Sequence, residues 1–145
     1  MLDFVFIRIR VNTDIAPILT ENKMNLEIVV ENNVTVAELV SDEIEIRNVQ
    51  NSLDLMGNAD YLGARSVIVH EENIAPEFFD LKTKLAGEIL QKYVNYHFKL
   101  AIVGEFEKYQ SNALNAFVIE CNRGNHIFFV EDRKVAFSKL TQSAR

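Results

Sequence analysis

Three short apolar runs constrain this chain most: Ser66-Val67-Ile68-Val69-His70, Leu100-Ala101-Ile102-Val103-Gly104 and Ile127-Phe128-Phe129-Val130. Each has the length of a strand, and each is apolar at consecutive rather than alternate positions, as a strand covered on both faces must be. Between them the pattern changes to helical spacing. Leu81, Leu85, Ile89 and Tyr93 form one stripe, flanked by Phe78, Ala86, Leu90 and Val94, and Pro76 suits a first helical turn. Leu114, Phe117, Val118 and Cys121 form another, with Ser111 as its cap. Asp132 caps a last helix carrying Val135, Ala136 and Leu140, with a tail that frays from Thr141.

Upstream, Leu26 to Glu31 and Val34 to Val40 are apolar-rich runs joined by Asn32-Asn33, a pair that tolerates the positive φ of a two-residue hairpin turn. Asp42 and Glu45 have capping-box spacing before Ile46, Val49, Leu53 and Met56, which predicts a helix ended by Gly57 and Gly63. Gly87 inside a helix predicts the close approach of another backbone, and Gly124 suits a left-handed helix end. The order is β-β-α-β-α-β-α-β-α, an α/β fold with a mixed, mostly parallel sheet and right-handed crossovers.

Residues 1–23 differ from the rest. Leu2 to Val11 read as a strand, followed by a loop around Pro17, and Met24 opens the patterned domain, residues 24–145. Two readings stay open: an added edge strand, or an extension upstream of a natural start at Met24.

Composition narrows the function classes. With 145 residues the chain fits one domain that needs no disulfide or metal to hold a core. A formal net charge of −6 and scattered basic residues argue against nucleic-acid binding. No apolar run approaches the ~20 residues of a membrane span. A lone Cys121, on the apolar stripe of its helix, reads as a core residue of a protein in a reducing, cytoplasmic setting. His70, His97 and His126 lack ligand spacing, so no metal is expected. Phosphate-loop, dinucleotide and nucleophile-elbow motifs are missing, and no catalytic residue or cofactor is implied.

Candidate site residues come from the carboxyl ends of the strands, where open α/β sheets gather ligands. Those ends carry Glu71 and Glu72, then Glu105, Phe106 and Tyr109, with Phe79 and Asp80 nearby, and Glu131 and Asp132 after the last strand. Glu71 and Glu105 would make an acid/base or metal-binding pair, or else they are solvated carboxylates favoured by helix N-termini. Asn122 and Arg123 form a second polar cluster at a helix end, explained equally by capping or by binding.

Glu77-Phe78-Phe79-Asp80-Leu81, Leu85 through Lys92, Asn95-Tyr96, Leu100 through Gly104, Tyr109-Gln110-Ser111 and Glu120 through Gly124 resemble the bacterial domain-of-unknown-function family 4180 (DUF4180) over about Met24 to Leu140. The resemblance implies a small bacterial cytosolic protein with no established activity. The element order is also similar to that of STAS domains, which act by binding partner proteins, some switched by serine phosphorylation. The equivalent stretch here, Glu71 to Lys82, has no Ser or Thr and carries Glu71, Glu72, Glu77 and Asp80 instead. Three functions follow as expectations: a partner-protein interaction domain using the acidic strand ends; a small-molecule binder or enzyme with a pocket among Glu71, Phe79, Glu105 and Tyr109; and a homodimer formed through an exposed edge strand, helped by residues 1–11.

Overall fold

A computed structural model describes residues 7–12 and 24–142. Residues 1–6, the Pro17 loop within 13–23, and the tail 143–145 lie outside the described residues. Six strands form one sheet in sequential order: β1 (Ile7–Asn12), β2 (Asn25–Glu31), β3 (Val34–Leu39), β4 (Ser66–His70), β5 (Lys99–Val103) and β6 (Ile127–Val130). β1 pairs with β2 and β2 with β3 in antiparallel register, and β3 through β6 run parallel. Asn32 and Asn33, at φ 54° and 64°, make the β2–β3 turn in the left-handed conformations that a tight hairpin requires.

Each parallel crossover advances one strand in the same direction. A right-handed connection then places every crossover helix on one face. Those helices are α1 (Val49–Tyr61), α2 (Leu85–Asn95) and α3 (Asn112–Asn122). Leu55 and Met56 of α1, Ile89 and Tyr93 of α2, and Leu114 of α3 pack there on Val67, Leu100, Ile102 and Phe129. Among the described residues, only α4 (Arg133–Leu140) covers the opposite face, where Ala136, Phe137 and Leu140 meet Val29, Val36, Ile68, Ala101 and Phe128. Among the described residues the winding direction never reverses, so no topological switch point divides the parallel strands.

Several local expectations are corrected. Asp42 does not cap a helix; the cap is Asn48, whose Oδ1 accepts from Asn51 N–H at 2.8 Å. The reason is tertiary. Asn73, buried in the turn after β4, donates from Nδ2 to the carbonyls of Ser41 and Glu43 at 2.9 Å each, and its own carbonyl accepts from Glu45 and Ile46. Residues 41–46 therefore bond to a distant loop instead of to a helix, and Ile46 bridges to Ile74. Gly57 lies inside α1, and Gly63, at φ 89°, makes the turn beyond its end.

The helix expected from Pro76 is likewise broken. Residues 71–83 form three 3₁₀ turns, and α2 begins only after Lys84 at φ 68°. Asp80 caps the third turn, and the Thr83 hydroxyl donates to the carbonyls of Glu77 and Asp80 while accepting from Leu85 N–H, so side chains hold the last two breaks. Gly87 is exposed, with no atom within 4 Å of where a Cβ would lie, so no backbone approaches it. Gly124 has no positive φ. Thr141 is buried and its hydroxyl donates to Phe137 C=O, so the chain does not fray there. Ser111 and Asp132 cap α3 and α4 as expected, accepting from Leu114 and Val135 N–H.

Candidate functional site

The carboxyl ends of β4 and β5 are closed by one buried carboxylate. Glu71, only 8% exposed, accepts from the backbone N–H of Glu105 at 3.2 Å and from the Tyr109 hydroxyl, and pairs with Lys108 Nζ at 2.8 Å. Burial alone would raise its pKa, but the bonds from Lys108, Tyr109 and the Glu105 amide outweigh that and hold it below the usual range. Burial first and then the bond to Glu71 push the Tyr109 phenol up. Glu71 is thus neither paired with the Glu105 carboxylate nor solvated; both sequence readings of it are corrected. Gly104 makes this geometry possible, because a Cβ there would lie 2.6 Å from both Cβ and Oε1 of Glu71.

Phe79 is buried, and Tyr109 stacks on it with ring centroids 5.0 Å apart and planes at 14°. Phe106 stacks on the same ring at 5.9 Å and meets Phe129 edge-on at 5.1 Å. Phe106 and Tyr109 are half-buried against the core and do not stand free on the loop. Of the residues expected around a pocket, Glu71, Phe79, Glu105 and Tyr109, three are thus bonded or stacked on one another, and Glu105 contributes its backbone N–H. Glu72, Asp80 and Glu105 are exposed around this knot.

An open groove of about 810 Å³ lies alongside, between the loop after β5, the flank of α3 and the end of β6. Its apolar lining includes Phe106, Val118, Ile119 and Phe129, and its acidic rim is Glu105, Glu107, Glu131 and Asp132. Of the residues expected at the strand ends it takes Glu105, Phe106, Glu131 and Asp132 and leaves out Glu71, Glu72, Phe79, Asp80 and Tyr109, and it leaves out Asn122 and Arg123 as well. Asn122 lies at the end of α3, where its carboxamide bonds the backbone of Phe129. Arg123 is exposed and pairs with Glu120 at 3.4 Å. Cys121 packs half-buried against the core, and burial pushes its thiol up to about 11, away from nucleophile chemistry.

Sequence reading missed a second charged cluster on the α4 face. Glu38, on β3 and 4% exposed, receives Arg133 of α4 through Nε and Nη2 at 2.7–3.0 Å, and His70 Nε2 lies 2.7 Å from its Oε2. Glu27 stands opposite Glu38 across β2 and β3, and Arg133 Nη2 is 3.7 Å from its Oε1. Like charges facing each other across a sheet are unfavourable, so a cation between them is required. The available signal was a Glu inside each of two otherwise apolar strands, which calls for a cationic partner; the partner, 95 residues away, is set by the fold. Desolvation would raise the Glu38 pKa, but hydrogen bonds from His70 and Arg133, and their charge, bring it down to about 2.

Among the described residues no three His, Cys, Asp or Glu side chains converge as metal ligands, and no helix is long and apolar enough to cross a membrane. No curated protein and no solved structure matches the chain, so the likeness to STAS domains rests on element order alone. The family described as "Domain of unknown function (DUF4180)" matches residues 31–140, which spans β3 through α4 and contains the Glu71 knot, the acidic groove and the Glu38–Arg133 pair. The chain belongs to the DUF4180 family.

Proposed function

We propose that this protein is a non-enzymatic, cytoplasmic interaction domain of bacteria that captures a partner protein on the acidic carboxyl end of its sheet. The observation that carries the reading is the groove itself: an apolar floor of Phe106, Val118, Ile119 and Phe129 inside a rim of four carboxylates. Apolar surface ringed by charge suits protein recognition, with the floor supplying affinity and the rim orientation and partner choice. The neighbouring stack of Phe79, Tyr109 and Phe106 backs the groove with packed rings, which supports a firm docking surface. The loop is also held rigid by Glu71, which favours a preformed recognition surface.

The test is affinity capture from host lysate with wild type beside Glu105→Lys and Glu131→Lys. Both positions are exposed, so neither charge reversal should change the melting temperature. A protein retained by wild type and lost from both variants supports docking on this rim. Equal capture by all three, or capture by none alongside a small-molecule thermal shift, overturns it.

A further inference from the structure

The edge of the sheet beside the groove is built to receive one more strand. Backbone groups of a strand turn alternately to its two sides. Leu100 N–H donates to His126 C=O at 2.7 Å and Gly104 N–H to Val130 C=O at 2.9 Å, so His126 and Val130 serve β5. Ile127 and Phe129 then turn their groups outward, and β6 is the last strand of the sheet among the described residues. At Phe129 a single side chain stands in for the missing neighbour. Asn122 Oδ1 accepts from Phe129 N–H at 2.8 Å, and Asn122 Nδ2 donates to Phe129 C=O at 3.2 Å. These are the two bonds that a paired strand would make. Asn122 is itself exposed at the end of α3, so its amide can turn away without opening the core.

The groove lies at the carboxyl end of this edge. Phe129 through Asp132 form one wall and Asn115, Val118 and Ile119 of α3 the other, with Ile119 55% exposed. An edge strand facing a helix flank is the geometry of strand addition, in which backbone bonds give affinity and alternate side chains give selectivity. The charge is one-sided: among the described residues four carboxylates line the groove against Lys108, whose ammonium is held by Glu71.

We propose that β6 accepts an extended, basic segment of a partner protein as a seventh strand. Apolar side chains of the segment lie on Val118 and Ile119 and its cations face Glu131 and Asp132, while Asn122 guards the edge until the segment arrives. This inference rests on the docking reading above and names the chemistry of the partner. A second copy fits less well, since it brings another net charge of −6 to an acidic surface. A helix fits less well because its backbone groups are already used.

The experiment uses the full chain and three labelled hexapeptides: alternating lysine and valine, alternating glutamate and valine, and the lysine form interrupted by proline. Anisotropy should show binding of the first alone, weakened about tenfold by Glu131→Lys and tightened a few-fold by Asn122→Ala. Amide resonances of Phe129 and Glu131 should shift on titration. Equal binding of the glutamate peptide overturns the proposal, as does binding that tolerates proline and leaves the Phe129 amide unmoved. In the latter case loss of partner capture by Glu105→Lys would still uphold docking on the rim. Self-association of Asn122→Ala by light scattering, with no peptide binding, also overturns it and makes a second copy the occupant.

Discussion

At the residue scale the carboxyl end of the sheet depends on Gly104 and Glu71. A methyl group at Gly104 collides with the Glu71 side chain, which is already fixed by three partners, so relief must come from breaking the knot. Gly104→Ala should therefore destabilise by about 1–3 kcal/mol, read as a fall in the midpoint of urea unfolding. Gly87→Ala, on an exposed helix face with open space around it, should instead stabilise by about 1 kcal/mol or less. The contrast separates the two glycines in a way their sequence contexts did not. Gly87 looked constrained because it interrupts a helix, whereas the constraint sits on Gly104, at the end of an ordinary apolar strand. Which glycine is crowded depends on what the next loop brings to it, and that is information of the fold.

At the element scale the start of α1 and the docking of α4 carry the predictions. Asn48→Ala removes the side-chain acceptor for Asn51 N–H and should cost about 1 kcal/mol, while Asp42→Ala should stay within about 0.5 kcal/mol of wild type in the same thermal melts. The order of strands and helices was legible, because burial on two faces imprints periodicity, but the 3₁₀ turns over residues 71–83 were not. The boundary of α1 was not, since Asn73 draws residues 41–46 away from helical bonding. Docking of α4 adds a pH dependence. The folded pKa of Glu38, about 2, lies below its ordinary 4.5. Its contribution, about 3 kcal/mol, is complete above pH 4.5 and disappears as pH falls towards 2. Arg133→Met should lower stability at neutral pH and flatten this acid limb, because it leaves a buried carboxylate without its main partner. Acid titration followed by circular dichroism checks both the position and the sign.

For the whole molecule, the sheet order decides what kind of surface is available. A sheet wound in one direction packs three helices on one face and, among the described residues, ends laterally at β1 and β6. The six-residue register of β1 on β2 makes residues 7–12 part of the sheet, so deletion of residues 2–23 uncovers β2. That deletion should lower the melting temperature by several degrees, at about 2–4 °C per kcal/mol lost, measured by calorimetry. An unchanged midpoint would show that β1 contributes little to the domain.

Sequence by itself determined the α/β class, the element order, the Asn32-Asn33 turn, the Ser111 and Asp132 caps and the family resemblance, because each is written in residues close together along the chain. Acidic residues at the strand ends were legible for the same reason. Tertiary structure alone decided what those residues do. It buried Glu71 beneath Tyr109, turned Asn122 onto the β6 edge and joined Glu38 to Arg133 across 95 positions. Those outcomes depend on solvent exclusion and on side chains brought together from distant segments, and neither is encoded in local spacing.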